Sequence, residues 1–201
     1  MAIITLPDSD FRDAQWALEI PQQVNRSAWT GRRTTMRLPG ASRWHVSATH
    51  RPIIGEAAFR PWKAFLTNLR GTENSFQMIA VEKSQRTGSN PTVSGSPAIG
   101  ATSMTLNGLT VSVTNLTAGH MMTIVFVSGK SQLVVLTADL VANGSGVGTA
   151  NFLPELREAG ASATIEAALP YANVILDDPT TSYSVQPGQI YSIGLTATEL
   201  L

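Results

Sequence analysis

The sequence predicts a mainly β protein with one α-helix and a small closed antiparallel barrel, on three observations. Short alternations of apolar and polar residues recur along the chain, divided by turns rich in Gly, Pro and Asn. Only residues 55–70 carry a convincing helical spacing. Composition also breaks near residue 88. Residues 1–88 hold twelve of the fourteen basic residues against seven acids, a net +5. Residues 89–201 hold two basic residues against seven acids, a net −5. All four tryptophans (Trp16, Trp29, Trp44, Trp62) precede the break, and the rest is rich in Ser, Thr, Gly, Ala and Val.

Taken in order, Gln15 to Ile20 places Trp16, Leu18 and Ile20 on one side and stops at Pro21. Trp29-Thr-Gly31 turns the chain, and Arg33 to Leu38 forms a second strand that ends at Pro39-Gly40. Arg43 to Thr49 alternates with Trp44, Val46 and Ala48 on one face. In the helix, Phe59, Trp62, Phe65, Leu66 and Leu69 share a face, with Gly71 as C-cap. Pro61 favours a regular helix that begins only there, with Pro near N1. Ser75 to Val81 is the next strand, and Arg86 to Pro97 reads as a linker.

Five short strands follow: Ser103 to Leu106, Met121 to Val127, Gln132 to Ala138, Gly148 to Leu153 and Thr164 to Ala168. Asn107-Gly108, Ser128-Gly129-Lys130 and Asn143 to Gly146 mark the turns between them. Five strands in about 75 residues suit a small barrel, because closure removes exposed strand edges. Ser182 to Val185 and Gln189 to Ala197 pair around Gln186-Pro187-Gly188. Two strands are marginal alone, so they are expected to return to the first sheet.

Composition narrows function. The 201 residues have net charge zero, 14% charged residues and no cysteine. That combination argues against disorder and against a free-standing nucleic-acid binder. It excludes a disulfide scaffold, a thiolate metal site and a cysteine nucleophile. A low-charge surface is weakly protected against self-association, which points to neighbouring subunits. The longest apolar run is far below the roughly 20 residues of a membrane helix. The start, with Asp8, Asp10 and Asp13 and no basic n-region, does not read as a secretory signal.

The residues offer little catalytic chemistry. His45 and His50 are five apart, which is not a same-face spacing in a strand, and His120 stands alone. Asp177-Asp178-Pro179 reads as an Asx-capped turn rather than an acid pair. Gly144 to Gly148 has the glycines of a phosphate loop but no helix after it, so a hairpin turn is expected. No catalytic residue, metal ligand set or cofactor site is predicted. One charge feature stands out: Arg26, Arg32, Arg33, Arg37, Arg43 and Arg51 lie between Glu19 and Glu56 with no intervening acid. A polyanion would suit them. A protein–protein surface suits them better, because Arg is enriched at interfaces and bonds carboxylates with two parallel hydrogen bonds.

The order of landmarks resembles the distal tail proteins of long-tailed bacteriophages. The matching pieces are Trp16-Ala-Leu-Glu19, Trp29-Thr-Gly31 and Leu38-Pro-Gly-Ala-Ser-Arg-Trp44. They continue with Ala64-Phe-Leu-Thr-Asn-Leu-Arg-Gly71 and Phe76, then Gly100-Ala-Thr-Ser-Met-Thr-Leu106 and Leu116-Thr-Ala-Gly-His120. The close is Tyr183-Ser-Val-Gln-Pro-Gly-Gln-Ile-Tyr-Ser-Ile193. The resemblance implies a β-sandwich ring domain with one flanking helix, built from residues 1–87 and 180–201. It implies an inserted OB-like barrel over 90–178. The implied role is a structural, non-enzymatic ring, usually of six subunits, that joins the tail tube protein to the tail-tip hub protein. The implied location is the virion tail tip, after assembly in the bacterial cytoplasm. Its partners are then other copies of itself, the tube and the hub, with DNA passing through the bore without specific recognition and no membrane contact. The alternative is a virion module that binds a host-surface glycan or receptor through the barrel. Against it, residues 90–178 offer only Phe126, Phe152 and Tyr171 as aromatic platforms.

Overall fold

The fold was analysed in a computed structural model that describes residues 1–38 and 40–200. Pro39, expected to help end a strand, and Leu201 lie outside the described residues. In chain order the first elements are β1 (Ile3–Ile4), β2 (Phe11–Glu19), β3 (Gln22–Arg26), β4 (Arg33–Arg37), β5 (Arg43–His50), β6 (Ile53–Ile54), α1 (Glu56–Leu69) and β7 (Ser75–Ile79). Then come β8 (Thr92–Ser94), β9 (Ser103–Asn107), β10 (Thr114–Leu116), β11 (Met121–Val125), β12 (Ser131–Leu136), β13 (Leu140–Val141), β14 (Gly148–Leu153) and β15 (Thr164–Glu166). The last are β16 (Tyr171–Leu176), β17 (Tyr183–Gln186) and β18 (Ile190–Glu199). The protein is mainly β with a single helix among the described residues, as expected.

The chain forms two compact units, residues 1–17, 44–84 and 169–200 in one, and 18–43 and 85–168 in the other. Both expected boundaries shift. Residues 18–43 group with the barrel, although Leu18, Glu19 and Arg43 are the ends of β2 and β5 of the first sheet. Tyr171–Leu176, expected in the insert, is a central strand of the first unit, hydrogen-bonded to β7 and β18. Its run Tyr-Ala-Asn-Val-Ile-Leu does not alternate, because a strand covered on both faces needs no polar face.

In the first unit the strand order is β1-β7-β16-β18-β5-β2, with β17 and β6 pairing the early part of β18. β7 with β16, β16 with β18 and β18 with β5 are antiparallel, and β1 with β7 is parallel. β5 buries Trp44, Val46 and Ala48, the face read from the sequence. α1 buries Phe59, Trp62, Phe65, Leu66 and Leu69, also as read. Trp62 meets Phe11 of β2 edge-on and Phe65 meets Phe76 of β7 edge-on, so the helix face spans the sheet from β2 to β7. Burying each such side chain contributes about 1.5–3 kcal/mol.

The helix begins at Glu56, one turn before the start that Pro61 suggested. Pro61 still lies near the beginning, so its missing N–H forfeits one early bond rather than breaking a long ladder. At the other end Arg70 adopts the left-handed conformation as C-cap, and Gly71 follows with φ 67°. A Cβ on Gly71 would sit 2.8 Å from the Pro179 carbonyl oxygen. Glycine there meets a conformational demand and a close backbone approach together.

In the second unit β11-β12-β14-β9-β8-β15 close into an antiparallel barrel. It includes the five predicted strands and a sixth, Thr92–Ser94, in what the sequence offered as a linker. β8 reads as a loop because it is three residues long among Pro, Gly and Ser. Its pairing with both β9 and β15 nevertheless completes the closure. OB-like barrels have five strands, so the likeness extends to small size and antiparallel closure. The core packs Leu106, Met122, Ile124, Val134, Leu136 and Phe152, each at most 1% exposed. β10 and β13 form a short ladder beside it, and β3 and β4 form a separate hairpin.

Candidate functional site: the arginine-bearing hairpin

Every residue of β3 and β4 is exposed. The register is Gln22↔Arg37, Gln23↔Met36, Val24↔Thr35, Asn25↔Thr34 and Arg26↔Arg33. The Ser27 N–H donates to Arg32 O (2.9 Å) and the Leu38 N–H donates to Pro21 O (3.1 Å). These bonds fix the alternation, so Arg26 and Arg33 form a non-hydrogen-bonded pair, the kind that brings side chains closest. Two guanidinium groups directly opposite each other cost about 0.2–1 kcal/mol unless an anion bridges them.

The tip is a four-residue loop, Ala28 to Gly31, closed by a Gly31 N–H bond to Ser27 O (3.0 Å). The Ser27 hydroxyl accepts from the Thr30 N–H (3.2 Å), and Gly31 takes φ 67°. This loop displays Trp29 at 98% exposure. Met36, Leu38 and Val24 are also exposed.

The six arginines separate into two groups. Arg37 donates to Glu155 (2.5 Å), whose side chain is only 3% exposed. The Gly40 N–H also donates to Glu155 (3.2 Å), and the Arg157 guanidinium donates to Ser42 O (2.5 Å). These bonds anchor the base of the hairpin to the barrel. Arg43 pairs with Glu19 (3.0 Å) and Arg51 with Asp10 (3.1 Å). Arg26, Arg32 and Arg33, all near the tip, have no ion-pair partner among the described residues. The absence of acids from 20 to 55 was visible in the sequence. The distant partners Glu155 and Asp10 were not, because tertiary folding supplies them.

Other polar clusters join separate segments of the chain by hydrogen bonds. His50 is 6% exposed and bridges Asp8 (Nε2 to Oδ1, 2.6 Å) and the Arg51 carbonyl (Nδ1, 2.6 Å). Asp8 also accepts from Trp62 Nε1 (3.1 Å). Burial works to raise the Asp8 carboxyl pKa. Hydrogen bonds from His50, the Asp10 backbone and Trp62 outweigh it, and the result lies below the ordinary aspartate value. The cluster ties the N-terminal segment to β5 and α1. The Thr198 hydroxyl contacts both Asp177 and His45 Nδ1 (2.8 Å). A nucleophilic relay instead places the carboxylate behind the base.

Asp178 accepts from the Thr180 N–H (2.6 Å), the Asx turn read from the sequence. Asn143 Oδ1 caps the N–H groups of Ser145 and Val147, so Gly144 to Gly146 is a turn and Gly148 opens β14. His120 Nδ1 accepts from the Thr117 N–H (3.2 Å). Among the described residues no group of three His, Cys, Asp or Glu could hold a metal ion. No helix there is long and apolar enough to cross a membrane. Comparison of the chain with protein-family models and with curated proteins finds no match.

Proposed function

We propose that the chain is a structural, non-enzymatic component of a bacteriophage tail that forms a ring at the distal end of the tail tube and joins it to the tail-tip hub. The observation that carries this reading is the hairpin, with Arg26, Arg32, Arg33 and a fully exposed Trp29 on an arm that buries nothing. Trp and Arg are the residues most enriched where a protein binds another protein. The resemblance to distal tail proteins supplies the kind of assembly. The glycan-binding alternative has less support, since Phe126 and Phe152 are buried in the barrel and Tyr171 lies in the other unit.

The test is the size of the purified protein by light scattering and its shape by negative-stain microscopy. Closed rings are expected for the natural chain, and a folded monomer for Arg32→Glu/Arg33→Glu. Exposed charges add little to folding, whereas a desolvated interface pair is worth about 2–5 kcal/mol. A natural chain that stays monomeric would defeat the reading.

A further inference from the structure

The first unit contains a groove between β2 and the end of β7. β2 ends the strand order, so its outer edge has no partner strand among the described residues. β7 pairs β1 only at Ser75 and Phe76, so beyond that point its outer edge has no partner strand among the described residues. The two open stretches, Phe11 to Trp16 and Met78 to Glu82, line one groove of about 280 Å³. Half-buried Phe11 and Trp16 and buried Met78 give it apolar walls. Arg12, Asp13 and Glu82 are its charged groups, all exposed. Neither Asp13 nor Glu82 has an ion-pair partner among the described residues. Unpaired strand edges favour addition of a further strand.

We infer that the β3–β4 tip of one copy docks in the β2/β7 groove of a second copy, with Trp29 on the apolar walls and Arg26, Arg32 and Arg33 toward Asp13 and Glu82. The inference rests on the ring reading and names its contact. A second copy is the occupant because the same chain supplies both complements, a cationic aromatic tip and a groove that offers apolar side chains beside two carboxylates without ion-pair partners among the described residues. Arg12 on the rim faces the tip's like charge, so Trp29 and the open edges must supply attraction besides the carboxylates. Tip and groove are different patches, so the contact is head-to-tail and repeats around a ring or along a filament.

The cysteine-free chain makes the test direct. Trp29→Cys and Glu82→Cys are prepared singly, one of them size-tagged, mixed in equal amounts and oxidised. A mixed disulfide dimer is expected to dominate, and the doubly substituted chain should give a ladder of covalent oligomers. Trp29→Ala should weaken self-association about 30-fold with unchanged thermal unfolding, because a central aromatic anchor has that weight. Glu82→Arg should weaken it about tenfold or more, and combining it with Arg33→Glu should restore much of the loss. If the natural chain forms rings, but mixed disulfides fail and both single variants assemble normally, the docking is overturned while the ring reading stands. A natural chain that is monomeric overturns both.

Discussion

The hairpin β3–β4 and the barrel pair β11–β12 are antiparallel ladders of similar length in the same unit, yet they bury opposite amounts. β11 and β12 are covered on both faces along most of their length, while no residue of β3 or β4 is buried. The barrel pair is held by apolar area removed from water. The hairpin is held by its ladder and, at its base, by Arg37, Gly40 and Arg157 bonding to Glu155 and Ser42. One ladder is made for its own fold, and the other is left open for something outside it.

The largest test of this contrast removes burial from each side. Phe152→Ala should cost about 3–5 kcal/mol in urea unfolding, since Phe152 is 1% exposed in the barrel core. Val24→Ser on the hairpin should stay within about 0.5 kcal/mol. A large loss at Val24 would mean that the hairpin has a covered face within its own chain.

Next comes the anchor. Arg37→Ala strands the Glu155 carboxylate, which should cost about 2–3 kcal/mol, moderated because Arg37 itself is half exposed. Adding Glu155→Gln should recover much of that loss, and thermal unfolding of the single and double variants would show it. No recovery would make the Arg37 effect one of packing rather than charge.

The smallest effect concerns the charged tie of the first unit, which shows whether such ties also hold peripheral segments elsewhere. The folded-state pKa of Asp8 is lowered, so its contribution is complete above the unfolded value near 3.8 and is lost as pH falls through the folded value. Asp8→Asn should cost about 1 kcal/mol or less near pH 7, because Asp8 is half exposed and screened by solvent, and progressively less as pH falls below about 3.8. Urea midpoints across that range would test this, and equal loss at both ends would show that the carboxylate charge is irrelevant.

Much of the fold was legible in the sequence because its signals are local. The α1 face, the β5 face and five barrel strands follow from period and turn chemistry within windows of a few residues. Seven elements were not: β1, β6, β10 and β13, each two or three residues long, and β16, β8 and β3. β16 lacks alternation because it is covered on both faces. β8 is too short to have a pattern and gains its identity from neighbours on either side. β3, Gln-Gln-Val-Asn-Arg, is polar but for Val24 and is a strand only because β4 pairs with it. The candidate site divides similarly. The arginine cluster and the Trp29 turn could be read directly. Which arginines are already engaged depends on Glu155, more than a hundred residues away, and on Asp10 across a tertiary fold.

The threading of the first unit bears on how the protein is made. Its sheet draws on three separated stretches of chain, and its middle strands, β16 and β18, are the last long ones synthesised. β7 lacks its longest pairing until β16 emerges near residue 176, and β5 lacks one neighbour until β18 emerges near residue 199. The barrel closes with strands from 92 to 166 only, so it can be complete while β2, β5 and β7 still wait with open edges. Long-range pairing of this kind is slow and exposes unpaired strands to other chains. Crowded nascent chains would therefore meet one another first through the unfinished sheet, which makes expression rate and temperature, more than final stability, the controls on yield.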